Sequence, residues 1–100
     1  MDAPVYLLQN QTTNVTGASF PFALDVRGEF IFRTVWIVGT WNSATVTLEF
    51  TPDDGVTWIA IPDLTAITSN FAANVHIRAD ALRAVLANAG ASTSLTVGVV

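Results

Sequence analysis

The 100-residue chain has no cysteine and no lysine, and it has a single histidine. The missing cysteine excludes disulfides, thiolate metal sites and a cysteine nucleophile. Small extracellular domains often depend on disulfides, so their absence fits synthesis in a reducing cytosol. His76 alone cannot build a multi-histidine metal site. A Ser-His-Asp triad needs a serine at a nucleophile elbow, and none of Ser19, Ser43, Ser69, Ser92 and Ser94 has that context. The four basic residues, Arg27, Arg33, Arg78 and Arg83, stand singly in a chain of net charge −4. With no basic stripe to neutralise phosphates, nucleic-acid binding is not expected. Met1-Asp2-Ala3-Pro4 has no positive n-region followed by an apolar stretch, so no signal peptide is expected. No apolar run approaches the length of a membrane-spanning helix. The two N-glycosylation patterns, Asn10-Gln11-Thr12 and Asn14-Val15-Thr16, read as chance matches in a chain rich in Asn and Thr.

Hydrophobic residues make up 51% of the chain and charged residues only 12%, against roughly 25% charged in an average soluble domain. A chain of this length forms one small domain (residues 1–100), with residues 1–17 as a candidate N-terminal arm. Its apolar content exceeds what one small core needs. The surplus must face outward, and large exposed apolar patches mark contact sites. A homo-oligomer or a subunit of a larger assembly is expected.

Val, Thr, Phe, Trp and Ile suit a pleated surface, and the pattern along the chain is β throughout. Val5 to Leu8 reads as a first strand and Asn10 to Gly17 as a loop or arm. Ser19 to Val26 reads as a strand that Pro21 places at an edge. Phe30 to Val38 is the most informative segment. Phe30, Phe32, Thr34, Trp36 and Val38 share one face, and Ile31, Arg33, Val35 and Ile37 share the other. Both faces are mostly apolar, so one should be core and the other covered by a second layer or a neighbouring subunit. Gly39 to Ala44 turns around Trp41. Thr45 to Thr51 alternates, with Val46, Leu48 and Phe50 inward and Thr45, Thr47, Glu49 and Thr51 outward. Pro52-Asp53-Asp54-Gly55 is a turn, and Val56 to Ile61 completes a hairpin. Leu64 to Thr68 is a weaker strand or loop. Asn74 to Arg78 alternates, with Val75 and Ile77 opposite His76 and Arg78.

Asp80 to Gly90 supports two readings. Leu82, Val85, Leu86 and Ala89 fall at helical spacing between a capping Asp80 and Gly90. Alternatively, Leu82 to Ala87 is a strand joined in a hairpin to Ser94–Val99, and the β context favours this. About eight short antiparallel strands then form a β-sandwich or jelly-roll-like barrel.

The carboxylates do not assemble into an acid–base pair. Asp53, Asp54, Asp63 and Asp80 read as turn or cap residues, Glu49 points outward, and Asp25 and Glu29 read as turn or solvated-surface residues. Two adjacent carboxylates at Asp53 and Asp54 fall well short of a calcium shell. Trp36, Trp41 and Trp58 suit core or protein-interface packing, with a sugar-stacking platform as the alternative. No catalytic residue, metal or cofactor is expected, and the chain does not read as an enzyme.

Thr51-Pro52-Asp53-Asp54-Gly55-Val56-Thr57-Trp58 resembles the Asp box of sialidase propellers, a structural hairpin in which Asp accepts backbone N–H bonds and Gly permits positive φ. A single copy in so short a chain implies a hairpin and not a glycosidase. More broadly, Leu7 to Thr13, Gly39-Thr40-Trp41, Ala44 to Phe50, the Thr51–Trp58 hairpin and Leu82-Arg83-Ala84-Val85 together resemble small tailed-phage structural proteins, including capsid cement or decoration proteins. That resemblance implies a sandwich or jelly-roll subunit, often trimeric, made in the host cytoplasm and seated on the virion surface against the major capsid protein. It carries over no catalytic residue. Trp41, Ile31, Arg33, Val35 and Ile37 are assigned to the protein interface. A tail, neck or fibre component and a carbohydrate-binding β-sandwich module are the alternatives.

Overall fold

The computed structural model describes residues 5–17, 20–21, 31–77 and 81–99. They form nine strands and no helix: β1 (Val5–Gln11), β2 (Val15–Thr16), β3 (Phe20–Pro21), β4 (Ile31–Thr40), β5 (Thr45–Thr51), β6 (Ile59–Ala60), β7 (Phe71–Ile77), β8 (Ala81–Ala87) and β9 (Ser94–Val99). One sheet has the order β1-β9-β4-β7. The other has the order β2-β8-β5-β6, with β3 also paired to β8. All pairings are antiparallel. The fold is the expected all-β sandwich.

The two sheets enclose one core. Leu7, Val35, Ile37, Val75, Leu95, Val97 and Val99 reach it from the first sheet, and Val46, Leu48, Leu82, Ala84 and Leu86 from the second. Each fully buried large apolar side chain contributes about 1.5–3 kcal/mol, so these residues dominate what holds the sheets together.

Among the described strands, only β5 and β6 are both consecutive and paired, through Glu49↔Ala60 and Phe50↔Ile59. This is the expected hairpin, although its second strand is only two residues long and Val56 is exposed. Most other connections carry the chain from one sheet to the other.

Three expectations are corrected by the structure. Residues 81–87 are indeed a strand, because Leu82, Ala84 and Leu86 point inward with a period of two. That strand does not form a hairpin with β9, however. It lies between β5 and β2/β3 in the second sheet, while β9 lies between β1 and β4 in the first. The helical spacing arose because half-buried Val85 on the other face is also apolar. The N-terminal arm is not an arm over its described part: Leu7 and Leu8 are buried, β1 pairs with β9, β2 pairs with β8, and the Gly17 N–H donates to the Ala84 carbonyl at 2.8 Å. Thr51, expected outward, is buried. Residues 64–67 are an irregular segment tied to β5, with the Leu48 N–H donating to Leu64 and Val46 exchanging backbone bonds with Ile67.

Pro21 lies in β3, which among the described residues pairs only with β8; an edge strand is where its missing N–H is tolerated. Asp25, Glu29, Arg27, Arg78 and Asp80 lie outside the described residues.

Candidate interaction surface

The alternation of β4 puts consecutive residues on opposite faces of the first sheet. Val35 and Ile37 are 1% and 0% exposed and belong to the core. They were assigned to the interface, and that assignment is corrected: a side chain sealed between the two sheets cannot touch a partner. Ile31 and Arg33 share their parity and stand in register with Ile77 and Val75; their side chains lie outside the described residues. Trp41 is half-buried and packed against the core. Its indole N–H donates to Asn70 Oδ1 at 3.0 Å, and the same oxygen accepts the Gly39 N–H at 3.2 Å. Trp41 therefore helps to fix the crossing from β4 to β5 and is not a free platform.

The outward face belongs to the other parity. A row runs across the sheet from Tyr6 through Gly98 and Trp36 to Ala72, each in register with the next. Gly98 makes this row possible: a Cβ there would overlap the six-membered ring of Trp36. The indole therefore lies across β9 and meets Tyr6 edge-to-face, with ring centroids 5.8 Å apart at 89°. Such pairs are worth about 0.5–1.5 kcal/mol beyond their buried area. Tyr6 is 44% exposed, and Val38, two residues beyond Trp36, is 43% exposed. Thr34 Oγ1 donates to Asn74 Oδ1 at 2.9 Å on the same face. The result is an outward apolar surface with an uncharged polar margin. Residue-level alternation could have identified Trp36 and Val38. Tyr6 and Gly98 could not be found this way, because they join the site only through the pairing of β1 with β9.

The second sheet carries the polar chemistry. Thr51 Oγ1 donates to Asp53 Oδ1 at 3.0 Å and accepts the Gly55 N–H at 2.8 Å; Asp53 Oδ1 also accepts the Thr57 N–H at 2.7 Å. Gly55 adopts φ 89°, a left-handed conformation that glycine adopts without strain. These bonds give the hairpin the internal wiring that its Asp-box resemblance implied, and they account for the burial of Thr51. Beyond the turn, Trp58 stacks on the Arg83 guanidinium, 4.2 Å from the ring centroid, and Arg83 Nε bonds Glu49 Oε1 at 2.7 Å. Glu49 is thus neutralised by a cation that an aromatic ring holds in place. Among the described residues, no three His, Asp or Glu side chains converge on a point that could hold a metal.

The Thr57 hydrogen bonds hold the Asp53 carboxyl below its usual pKa. A folded-state pKa below the unfolded value adds stability that is fully present above about pH 4 and is lost as pH falls through the lowered folded value. Acid titration is therefore expected to loosen the Thr51–Trp58 hairpin, seen as faster amide exchange at Gly55 and Thr57. Asp53→Asn should remove that acid-dependent step. An unchanged acid profile in the variant would show that Asp53 does not hold the turn.

Compared with known proteins, the chain matches no family model, no curated protein and no solved structure.

Proposed function

We propose that the protein is a virion structural protein, a cement or decoration protein that binds the major capsid protein on the surface of a tailed-phage shell. The observation that carries the reading is the outward Tyr6–Trp36–Val38 surface, for which Gly98 leaves room beneath the Trp36 ring. Aromatic anchors of this kind dominate protein interfaces. The resemblance of the sequence to small phage structural proteins supplies the class of partner. A cement protein acts by binding only the assembled shell, so that mass action shifts the shell away from opening. The perpendicular Tyr6 and Trp36 rings weigh against a carbohydrate-binding module, because stacking on sugar rings uses aromatic faces presented together in one plane.

Quantitative mass spectrometry of purified virions is expected to find the protein in copy numbers comparable to the major capsid protein. A few copies per particle would move it to the tail, neck or fibre. The double variant Tyr6→Asp/Val38→Asp should bind emptied capsids at least about tenfold more weakly while keeping its fold, since few interface residues carry most of the energy. Unchanged binding would remove this face from the contact.

A further inference from the structure

The four outer positions of the two sheets are not alike. On the first sheet, β1 pairs with β9 through two register shifts, and such irregularities blunt an edge. On the second sheet, β2, β3 and β6 are two residues long. β7 is the exception: all seven of its residues, Phe71 to Ile77, pair in unbroken register with β4. It carries no Lys, Arg, Asp, Glu, Pro or Gly and its register has no bulge, so the charges, prolines and irregularities that commonly blunt an edge are missing from it. Among the described residues, nothing pairs with its outer side. A groove of about 420 Å³ runs along that side, between the Ile61–Leu64 turn and β7. Its β7 wall includes the consecutive residues Ala73, Asn74 and Val75. Phe71 completes that wall, and since Phe71, Ala73 and Val75 share the inward parity while the Ile61–Leu64 turn is tied to β5, the groove is the mouth of the gap between the two sheets, opening at the β7 edge. An extended main chain is the occupant that matches a row of unpaired N–H and C=O groups.

The sequence of β7 selects which main chain. Placed antiparallel to itself about Asn74, the strand sets Phe71 opposite Ile77, Ala72 opposite His76, Ala73 opposite Val75 and Asn74 opposite Asn74. Inward-parity positions then meet only apolar residues, and no charges meet, although each copy carries a net charge of −4. At the centre, two exposed Asn74 amides face each other, each with an NH2 donor and an Oδ1 that accepts from Thr34 and keeps a second lone pair. We infer that two copies of this chain associate through β7 in that antiparallel register, fusing their four-stranded sheets into one continuous sheet across a two-fold axis. Such an isologous contact uses the same edge on both subunits and closes on itself. The inference stands apart from the capsid reading, which can fail on copy number while this pairing holds.

The absence of cysteine makes the register directly testable, because any introduced thiol is unique. Directly opposite residues have Cα atoms about 4.5–5.5 Å apart, within disulfide reach. Ala72 lies two residues off centre, which puts the two Ala72 positions on the order of 13 Å apart. Under mild oxidation, Asn74→Cys is expected to crosslink into a dimer at least about tenfold faster than Ala72→Cys, given that geometric limit. By sedimentation, the unmodified protein should run at twice its 10.7 kDa chain mass. Asn74→Lys, which places like charges directly opposite each other, should run at one chain mass with unchanged circular dichroism. Equal crosslinking of the two cysteine variants, a monomeric parent, or a species of three chain masses (the trimer that the phage resemblance implies) would overturn the pairing.

Discussion

Replacing Gly39 with alanine is expected to cost about 3 kcal/mol or more, a large share of the roughly 5–15 kcal/mol available to a domain of this size. Two effects add at this position. Its φ of 142° lies in a region that is close to glycine-only and costs other residues about 1–3 kcal/mol. A Cβ would also overlap the Ser94 carbonyl oxygen and sit 3.0 Å from the Leu95 Cα on the adjacent strand. That obstacle is backbone, so it cannot swing aside as a side chain would; forced overpacking of this kind costs about 1–3 kcal/mol. The strain falls where β4 leaves the first sheet, so the β4–β9 pairing at Gly39↔Leu95 and Thr40↔Ser94 should open first. Urea denaturation followed by circular dichroism measures the loss. A change below about 0.5 kcal/mol, the scale of an ordinary surface substitution, would show that the close approach of β4 and β9 is not as described.

The second large effect separates the two faces of β4. Ile37→Ala should destabilise the fold by about 2–5 kcal/mol, the usual range for emptying a sealed aliphatic site, because Ile37 is 0% exposed in the core. Its neighbour Val38, on the outward face, should accept Asp at a cost within about 0.5 kcal/mol. Adjacent residues of similar chemistry then have opposite consequences. Thermal melting of the two single variants is decisive. Comparable losses would mean that the outward face is buried in the isolated protein, and a stable Ile37→Ala would place the core elsewhere.

That contrast also marks where sequence reasoning stopped. The alternation of Val46 and Leu48 and the turn at Pro52–Gly55 were legible because one face or one bend was chemically distinct. Phe30 to Val38 was not, because both of its faces are apolar. Choosing between them needs the position of the second sheet, which is built from β2, β3, β5, β6 and β8, and no local pattern within β4 contains it. The same limit hid the β8-to-β9 crossing. Two apolar strands separated by Asn88-Ala89-Gly90 look like a hairpin, and nothing local says that they belong to different sheets. Thr51 was misplaced because its hydroxyl is consumed by the turn that follows it, a use that alternation does not register. The Trp58–Arg83–Glu49 cluster was invisible for a simpler reason: its members come from the hairpin, β8 and β5, and meet only once those strands are side by side.

The position of β9 governs when this protein can fold. Its six residues are the shared partner of β1 and β4, through pairs such as Val5↔Val99 and Gly39↔Leu95. Until Ser94–Val99 has been made, β1 and β4 have no strand to bridge them, and only the β4–β7 part of the first sheet can pair. Nearly all other pairings also join distant parts of the chain, so the loops must close before contacts repay them. Completion of the first sheet therefore waits on the last strand in the sequence, and until β9 arrives β1 and the β9 side of β4 stay unpaired.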